Sequence, residues 1–425
     1  MTLKGDISGS ATSSSPTAEN AYAHKFGIVR AGNVTATGAG TGTTVTATVT
    51  ASEGQAQTIN SSGTLRYYAA GANPGNQLLV GNTLGNIVGV INVEALYENI
   101  EITDLGMTFN DAAGANDVSS LDITDGTNTW NVPVSGQNAT ASPADGTLII
   151  PVGTVKTLTV KANTSQSGLN KVAVSGDSFT ITFSNIAAKG KSSGITGGAG
   201  GSTQLTISGQ TTATNSQYIY ASKPTVGNFT SSLGTGVERT LFQFTMSADA
   251  KGDVGFYKVT FDITTSANSG VTTTNLKFIE NPGGSQVDLT YRETNYQIPD
   301  GAAGYELITA GEGSTLRYNI IFNTSAYTAS PNSEYRIIPA GQSKIFALKG
   351  DVAKSTSGNF SYSITLPGDN TAVAMADATT TDASAFDNFI WSDLNYGNNT
   401  GTATATNEWT NGYLLFATTT QSATF

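Results

Sequence analysis

The sequence predicts an all-β protein built of tandem immunoglobulin-like β-sandwich modules with inserted strands and long loops. Three observations predict it. Only 12% of the 425 residues are charged, and Gly, Thr, Ser, Ala and Asn fill the gaps between short apolar runs, which suits short strands and turns better than helices. Those runs alternate with a period of two, and no helical period is sustained. The chain also repeats itself: Ile150-Pro151-Val152-Gly153 with Lys156 returns as Ile338-Pro339-Ala340-Gly341 with Lys344. In each copy Pro and Gly two apart make a turn that Gly enters at positive φ. The strand behind it alternates, with Leu158 and Val160, or Phe346 and Leu348, on one buried face.

From the N-terminus, Leu3-Lys4-Gly5-Asp6 matches Leu348–Asp351, so residues 1–20 read as a remnant or linking strand of a preceding module. Leu3 and Ile7 form its apolar face and are the assembly residues the sequence offers, because a strand with unpaired backbone seeks an edge. Tyr22–Val29 and Tyr220–Val226 read as leading strands of two modules, residues 21–214 and 215–425, the second including the aromatic C-terminal segment. Ile87–Phe109 falls without a gap on Leu241–Ile263, 154 residues on. Alternation breaks after Ile102 and again after Phe256, the mark of a β-bulge. The leading strands are 198 apart and the Ile-Pro turns 188 apart. Insertions are therefore expected at about residues 33–82 and within 264–335, outside the sandwiches. Phe179–Phe183 pairs in pattern with Phe360–Ile364.

Thirty-one acidic against 20 basic residues give a formal charge of −11. With no basic cluster to neutralise phosphates, nucleic acid is excluded as a partner. Cysteine is absent, which excludes disulfides and thiolate metal sites. No apolar run approaches the ~20 residues of a transmembrane helix, and a basic-then-apolar secretory signal is lacking. An acidic, Thr/Ser/Asn-rich composition with little Lys suits an extracellular, cell-surface protein.

Chemistry is sparse. The one histidine, His24, has no acidic or Ser neighbour to work with and reads as structural. No Ser is followed by Lys three residues on, and no His-Glu-x-x-His occurs. Gly190-Lys191-Ser192 imitates the end of a phosphate loop, but Asn185 stands where the first Gly belongs and no helix-forming run follows. No catalytic residue is assigned. Calcium is the one ion with a case, as a binder of loop carboxylates and carbonyls. Asp393 and Asn395 space oxygen ligands two apart, and Asp249 and Asp253 bracket a loop beside Lys251. Neither set supplies the bidentate acid of a calcium loop. Trp391, Trp409 and Tyr413 are either a sugar-stacking platform or core; Ile390 and Leu414 beside them favour core.

The set Ile338-Pro339-Ala340-Gly341 with Lys344, Leu348–Asp351, Phe389–Asp393, Trp409–Leu414 and Lys223–Val226 with Phe242–Phe261 resembles large repeat-containing cell-surface (surface-layer or adhesin-like) proteins of Patescibacteria/Parcubacteria-type bacteria. The resemblance spans about residues 215–425 and is fainter over 21–214, where Ala162-Asn163 replaces Gly-Asp. It implies immunoglobulin-like modules at the cell surface and brings no catalytic residue. The expected function is a non-enzymatic structural one, a self-assembling surface-layer or surface-fibre subunit whose partners are its own lattice or filament neighbours. The alternatives are an adhesin or carbohydrate-binding surface module that binds a cell-surface glycan, and a phage or pilus-type fibre protein.

Overall fold

A computed structural model describes residues 62–110, 112–168, 170–198, 205–209, 214–266, 270–289, 294–295, 315–322, 335–355, 359–372, 374–375, 388–395 and 409–424, together with 23–24, 27–28, 34–46, 48, 52–53 and 57–58. Nearly all the regular structure is β; the one helix among the described residues is Ala112–Asn116.

Two pairs of sheets face each other across two cores. In the first, a six-stranded sheet runs Thr129–Pro133, Val118–Thr124, Val155–Thr164, Asn86–Leu96, Thr64–Ala69, Thr206–Gly209. Opposite it lie Asn138–Ala141, Ile100–Phe109, Ile181–Gly190 and Thr196–Gly197, with Ile149–Ile150 also on Ile100–Phe109. Alternate residues of both sheets, among them Leu65, Ile91, Leu158, Leu105, Met107 and Phe183, fill one cluster, as two half-buried sheets require. The second sandwich sets Pro224–Thr230, Gly236–Ala248, Ser343–Lys354, Val271–Glu280 and Val287–Asp288 against a nine-stranded sheet centred on Val254–Thr265. Its core is phenylalanine-rich: Phe244 stacks on Phe346 at 5.6 Å and Phe256 on Phe389 at 4.9 Å. The tandem sandwich architecture expected from the sequence is the one observed.

Strand pairing shows the duplication residue by residue, and amends it. Ile100, Ile102, Leu105, Met107 and Phe109 face the first core as Val254, Phe256, Val259, Phe261 and Ile263 face the second, a displacement of 154. The register slips after Ile102 and after Phe256, where alternation breaks in the sequence. The preceding strand is displaced by 153 instead. Ile91 pairs with Leu158 and Phe244 with Phe346, and the unpaired extra residue of each strand is Val88 or Leu241. Val90 therefore corresponds to Gln243, and Phe244 to Ile91. The connection to the next strand is one residue longer in the second copy, which hid the slip. These consecutive strands lie in opposite sheets.

The expected insertions are also corrected, because both contain framework strands. Pro224–Thr230 pairs with Gly236–Ala248 through Val226 and Met246; its equivalent is Thr64–Ala69, which pairs Tyr67 with Val93. Ala23–His24 and Gly27–Ile28 pair elsewhere, with Gln57–Thr58 and Ser52–Glu53. Thr64–Ala69 thus belongs to the sheet, with Leu65 in the core. In the second copy Val271–Glu280 and Thr315–Phe322 take the places of Val118–Thr124 and Asn138–Ala141. Ile181–Gly190, continuous in the first sandwich, is split in the second into Ser361–Leu366 and Phe389–Ser392. Ile364 pairs with Ile263 as Ile181 does with Phe109, and Trp391 pairs with Phe256 as Ala188 does with Ile102. Ile364 therefore matches Ile181, two residues from the match made on sequence.

Candidate functional site

A densely hydrogen-bonded region lies where the two sandwiches meet. Gln217–Tyr220, just ahead of the second sandwich, pairs in parallel with Gln77–Val80 and antiparallel with Ser178–Phe179, both contributed by the first half of the chain. Parallel neighbours need a long crossover, and here the whole first sandwich is that connection. Tyr220 and Leu78 both enter the second core, so the strand that joins the sandwiches is also packed into one of them.

Side chains lock this sheet to the loops around it. The Tyr220 ring lies 4.9 Å from Trp391, and the Tyr218 ring stands edge-on to Tyr413 at 5.9 Å. Asn76 Nδ2 donates to Tyr413 Oη at 2.7 Å. Lys223 Nζ donates to the Leu78 carbonyl at 2.6 Å and Lys251 Nζ to that of Asn82 at 3.2 Å. At the centre, Asp393 is 5% exposed. Its carboxylate accepts the Ala221 N–H at 2.8 Å and the Ser175 hydroxyl. Burial pushes the Asp393 carboxyl above its ordinary range, against the pull of these donors. Burial likewise lowers Lys223, which Asp249 partly offsets. Chemically the arrangement orients two bodies.

The metal candidates divide between two places. Asp393 and Asn395 belong to the junction. Asp253 Oδ1 accepts the Ala340 N–H at 2.8 Å and Asp249 Oδ1 that of Lys251 at 2.9 Å, so these carboxylates hold the Ile-Pro turn and its neighbouring loop. Among the described residues no three His, Asp or Glu gather where one ion could be held.

The aromatic candidates are core. Trp391 is 0% and Trp409 1% exposed, so neither offers a face to a sugar. Trp391 Nε1 donates to the Asn411 carbonyl at 2.9 Å, and Trp409 packs on Tyr257 at 5.0 Å and Tyr335 at 5.3 Å. Tyr413 is half-buried and spent on the junction. Leu3 and Ile7 lie outside the described residues.

Ser192 of the Gly190-Lys191-Ser192 stretch, with Ser193 and Gly63, forms an anion cradle that is filled from within. The Glu98 carboxylate accepts the N–H groups of Gly63, Ser192 and Ser193 at 2.7, 2.8 and 2.9 Å and the Ser193 hydroxyl at 2.7 Å. Lys191 pairs with Glu101 at 2.8 Å. Lys191, with the Gly146 N–H, holds Glu101 down to about 2. A second internal hub is Asp369, which accepts from Asn388 N, Asn388 Nδ2 and Gly412 N at 3.0, 2.9 and 2.7 Å. It ties the aromatic C-terminal segment to the second sandwich. Sequence reasoning missed Glu98, Asp369, Ser175 and Tyr220, because their partners are 19 to 218 positions away and no local spacing announces them.

No protein-family model matches the chain, and none of the curated proteins does. Solved structures with some likeness include a chain described as BspA_C_mut (7% identity, 72% of this chain and 94% of that one, TM-score 0.20). Others are the B domain of a biofilm-associated protein (6%, 73% and 83%, TM-score 0.18) and the T6 backbone pilin of Streptococcus pyogenes serotype M6 (9%, 85% and 63%, TM-score 0.18). Scores of this size carry no argument about fold or function, which rest on the sheets and contacts above.

Proposed function

We propose that the chain is a non-enzymatic extracellular structural protein, a surface-layer or surface-fibre subunit that self-assembles through its β modules. The observation that carries this reading is the junction. Domains joined by a small polar contact move by default, whereas here a hydrogen-bonded sheet, two aromatic pairs and a buried carboxylate fix one sandwich on the other. Such a junction suits a part that must transmit position or load along its length. The use of the polar residues supports the same reading. Glu98, Glu101, Asp253, Asp369 and Asp393 all accept bonds from their own chain. A cell-surface location is consistent with the low charge and the absence of cysteine.

Negative-stain microscopy of the concentrated protein tests the proposal. Ordered sheets or filaments are the expected result. Dispersed particles at every concentration, together with specific retention on a glycan array, would replace it with the adhesin reading.

A further inference from the structure

We propose that the first sandwich is a shear clamp, in which tension along the chain passes directly from the entering strand to the leaving strand through two parallel pairings, and that the second sandwich yields before it. The entering strand Thr64–Ala69 starts at the end that carries the first Ile-Pro turn, where Thr64 stands opposite Leu96 and Asn99 holds Val152. The chain leaves at the other end, where Tyr220 stands beside Val80 and Lys251 of the second sandwich reaches Asn82.

Entering and leaving segments run side by side in the same direction over two stretches. Thr206–Gly209 pairs with Thr64–Ala69, from Thr206 opposite Thr64 to Gly209 opposite Tyr67. Further on, Gln217–Tyr220 pairs with Gln77–Val80, from Gln217 opposite Gln77 to Tyr220 opposite Val80. Pulled at its two ends, the sandwich draws the entering segment one way and the leaving segment the other, each along its own length. The bonds of a parallel pair are evenly spaced along both strands, so sliding loads all of them together. Parting the same strands from one end would break the bonds in turn, each weak by itself.

Both stretches are well anchored. In the first, Leu205 belongs to the core and Ile207 packs against it. In the second, the Gln77 N–H donates to the Ser216 carbonyl at 3.2 Å and the Gly81 N–H to that of Tyr220 at 2.8 Å. Asn215 Nδ2 donates to the Pro74 carbonyl at 2.6 Å, and the Ser216 N–H to Asn76 Oδ1 at 2.9 Å. On the other side of the leaving strand, the Ile219 N–H donates to the Asp177 carbonyl at 2.9 Å and the Ile219 carbonyl accepts the Gly176 N–H at 2.8 Å, so this strand is central in its sheet. Gln217 and Ile219 are fully buried, and buried groups are costly to part from their partners.

Among the described residues the second sandwich has no such arrangement. Its entering strand Pro224–Thr230 is the edge of one sheet, held by Gly236–Ala248, and Thr419–Thr424 is held in the opposite sheet by Ser361–Leu366. These two strands do not pair with each other. Their neighbourhoods meet through side chains, Ser231 with Gln421 and Phe229 with Phe416. No residue of Thr419–Thr424 enters the core, and a strand with few buried apolar contacts opens at low cost. Resistance to tension serves an adhesin under drag as well as a lattice subunit, so a failed self-assembly test leaves the clamp standing.

Forced unfolding reads the unfolding rate rather than equilibrium stability, so the test is mechanical. Single molecules of the full chain, which has no natural cysteine, are stretched between Ser62→Cys and Ser422→Cys. Two ruptures are expected. The earlier, releasing about 70 nm at ~3.5 Å of chain per residue, is the second sandwich; the later, releasing about 55 nm, is the first sandwich and needs a force several times higher. Handles moved to Gly75→Cys, a position with open space around it, and Ser216→Cys part Gln77–Val80 from Gln217–Tyr220 at one end. The force that ruptures the first sandwich should then fall several-fold. Equal forces in the two geometries, or rupture of the first sandwich before the second, overturn the proposal.

Discussion

Asn99 and Asp253 hold the same turn in the two sandwiches. Asn99 Oδ1 accepts the Val152 N–H and Asp253 Oδ1 the Ala340 N–H, each at 2.8 Å, and Gly153 and Gly341 follow at φ 70° and 68°. An amide and a carboxylate are interchangeable here because only an acceptor oxygen is required. The bond to Ala340 therefore requires an acceptor oxygen at position 253 and not a charge.

Replacing either residue by Ala should therefore cost about 1 kcal/mol, the net worth of one such bond. Asp253→Asn should be close to neutral. Chemical denaturation of the three variants checks this; a large loss in Asp253→Asn would mean that the charge itself has a role.

Phe261 is fully buried and packs on Phe242 at 5.5 Å and Phe278 at 6.2 Å. Phe261→Ala should destabilise the second sandwich by about 3–5 kcal/mol, and Met107→Ala, its counterpart, the first by about 2–5 kcal/mol. A cost under about 1 kcal/mol at Phe261 would contradict its place in a close-packed core.

How far the sequence was legible follows from which signals are local. Alternation places Leu105 and Phe261 correctly, and even the bulges after Ile102 and Phe256 show as broken alternation. The one-residue slip between Ile91 and Phe244 does not show, because Val88 and Val90 are as apolar as Ile91 and period-two patterns tolerate either register. Thr64–Ala69 reads poorly as a core strand because only Leu65 in Thr-Leu-Arg-Tyr-Tyr-Ala is fully buried. The junction is invisible for a different reason. Ser175 and Asp393 are ordinary polar residues until folding brings them together.

Calcium in excess, or a chelator, should leave the melting temperature unchanged. Asp249, Asp253 and Asp393 are held by N–H and O–H donors of their own chain, and a ligand raises stability only through binding the native state. A calcium-dependent rise in melting temperature would show a site elsewhere or a rearrangement of these loops.

Acid should act on individual carboxyls in opposite senses. Glu101, held by Lys191 and the Gly146 N–H, and Asp125, where the Asn128 and Thr127 N–H groups and Lys156 outweigh burial, both lie at about 2. A depressed carboxyl stabilises the fold above its unfolded value of roughly 4 and loses that contribution as pH falls towards 2. In the second sandwich Lys344 and Arg336 hold Glu280 low against its burial and the Asn275 side chain lowers Asp351, whereas burial raises Asp369. A raised carboxyl opposes folding once ionised, so its penalty is relieved on acidification. Glu101→Gln should flatten the loss of stability between about pH 4 and 2; an unaltered acid limb would assign that loss to other carboxylates.

The junction gives the last prediction, because its central group can be removed without touching either core. Asp393→Ala removes the acceptor of the Ala221 N–H and of the Ser175 hydroxyl, and a buried donor that loses its acceptor costs about 1–3 kcal/mol. Asp393→Asn keeps an acceptor oxygen and sheds the cost of burying a charge, so it should retain most of the coupling. In calorimetry the natural chain and Asp393→Asn should unfold with the two sandwiches coupled, and Asp393→Ala should separate them into two transitions. Distances between labels on the two sandwiches should broaden in the Ala variant alone. If Asp393→Ala unfolds as the natural chain does, with an unchanged distance distribution, the aromatic pairs Tyr220–Trp391 and Tyr218–Tyr413 hold the junction by themselves, and the carboxylate only fills space between them.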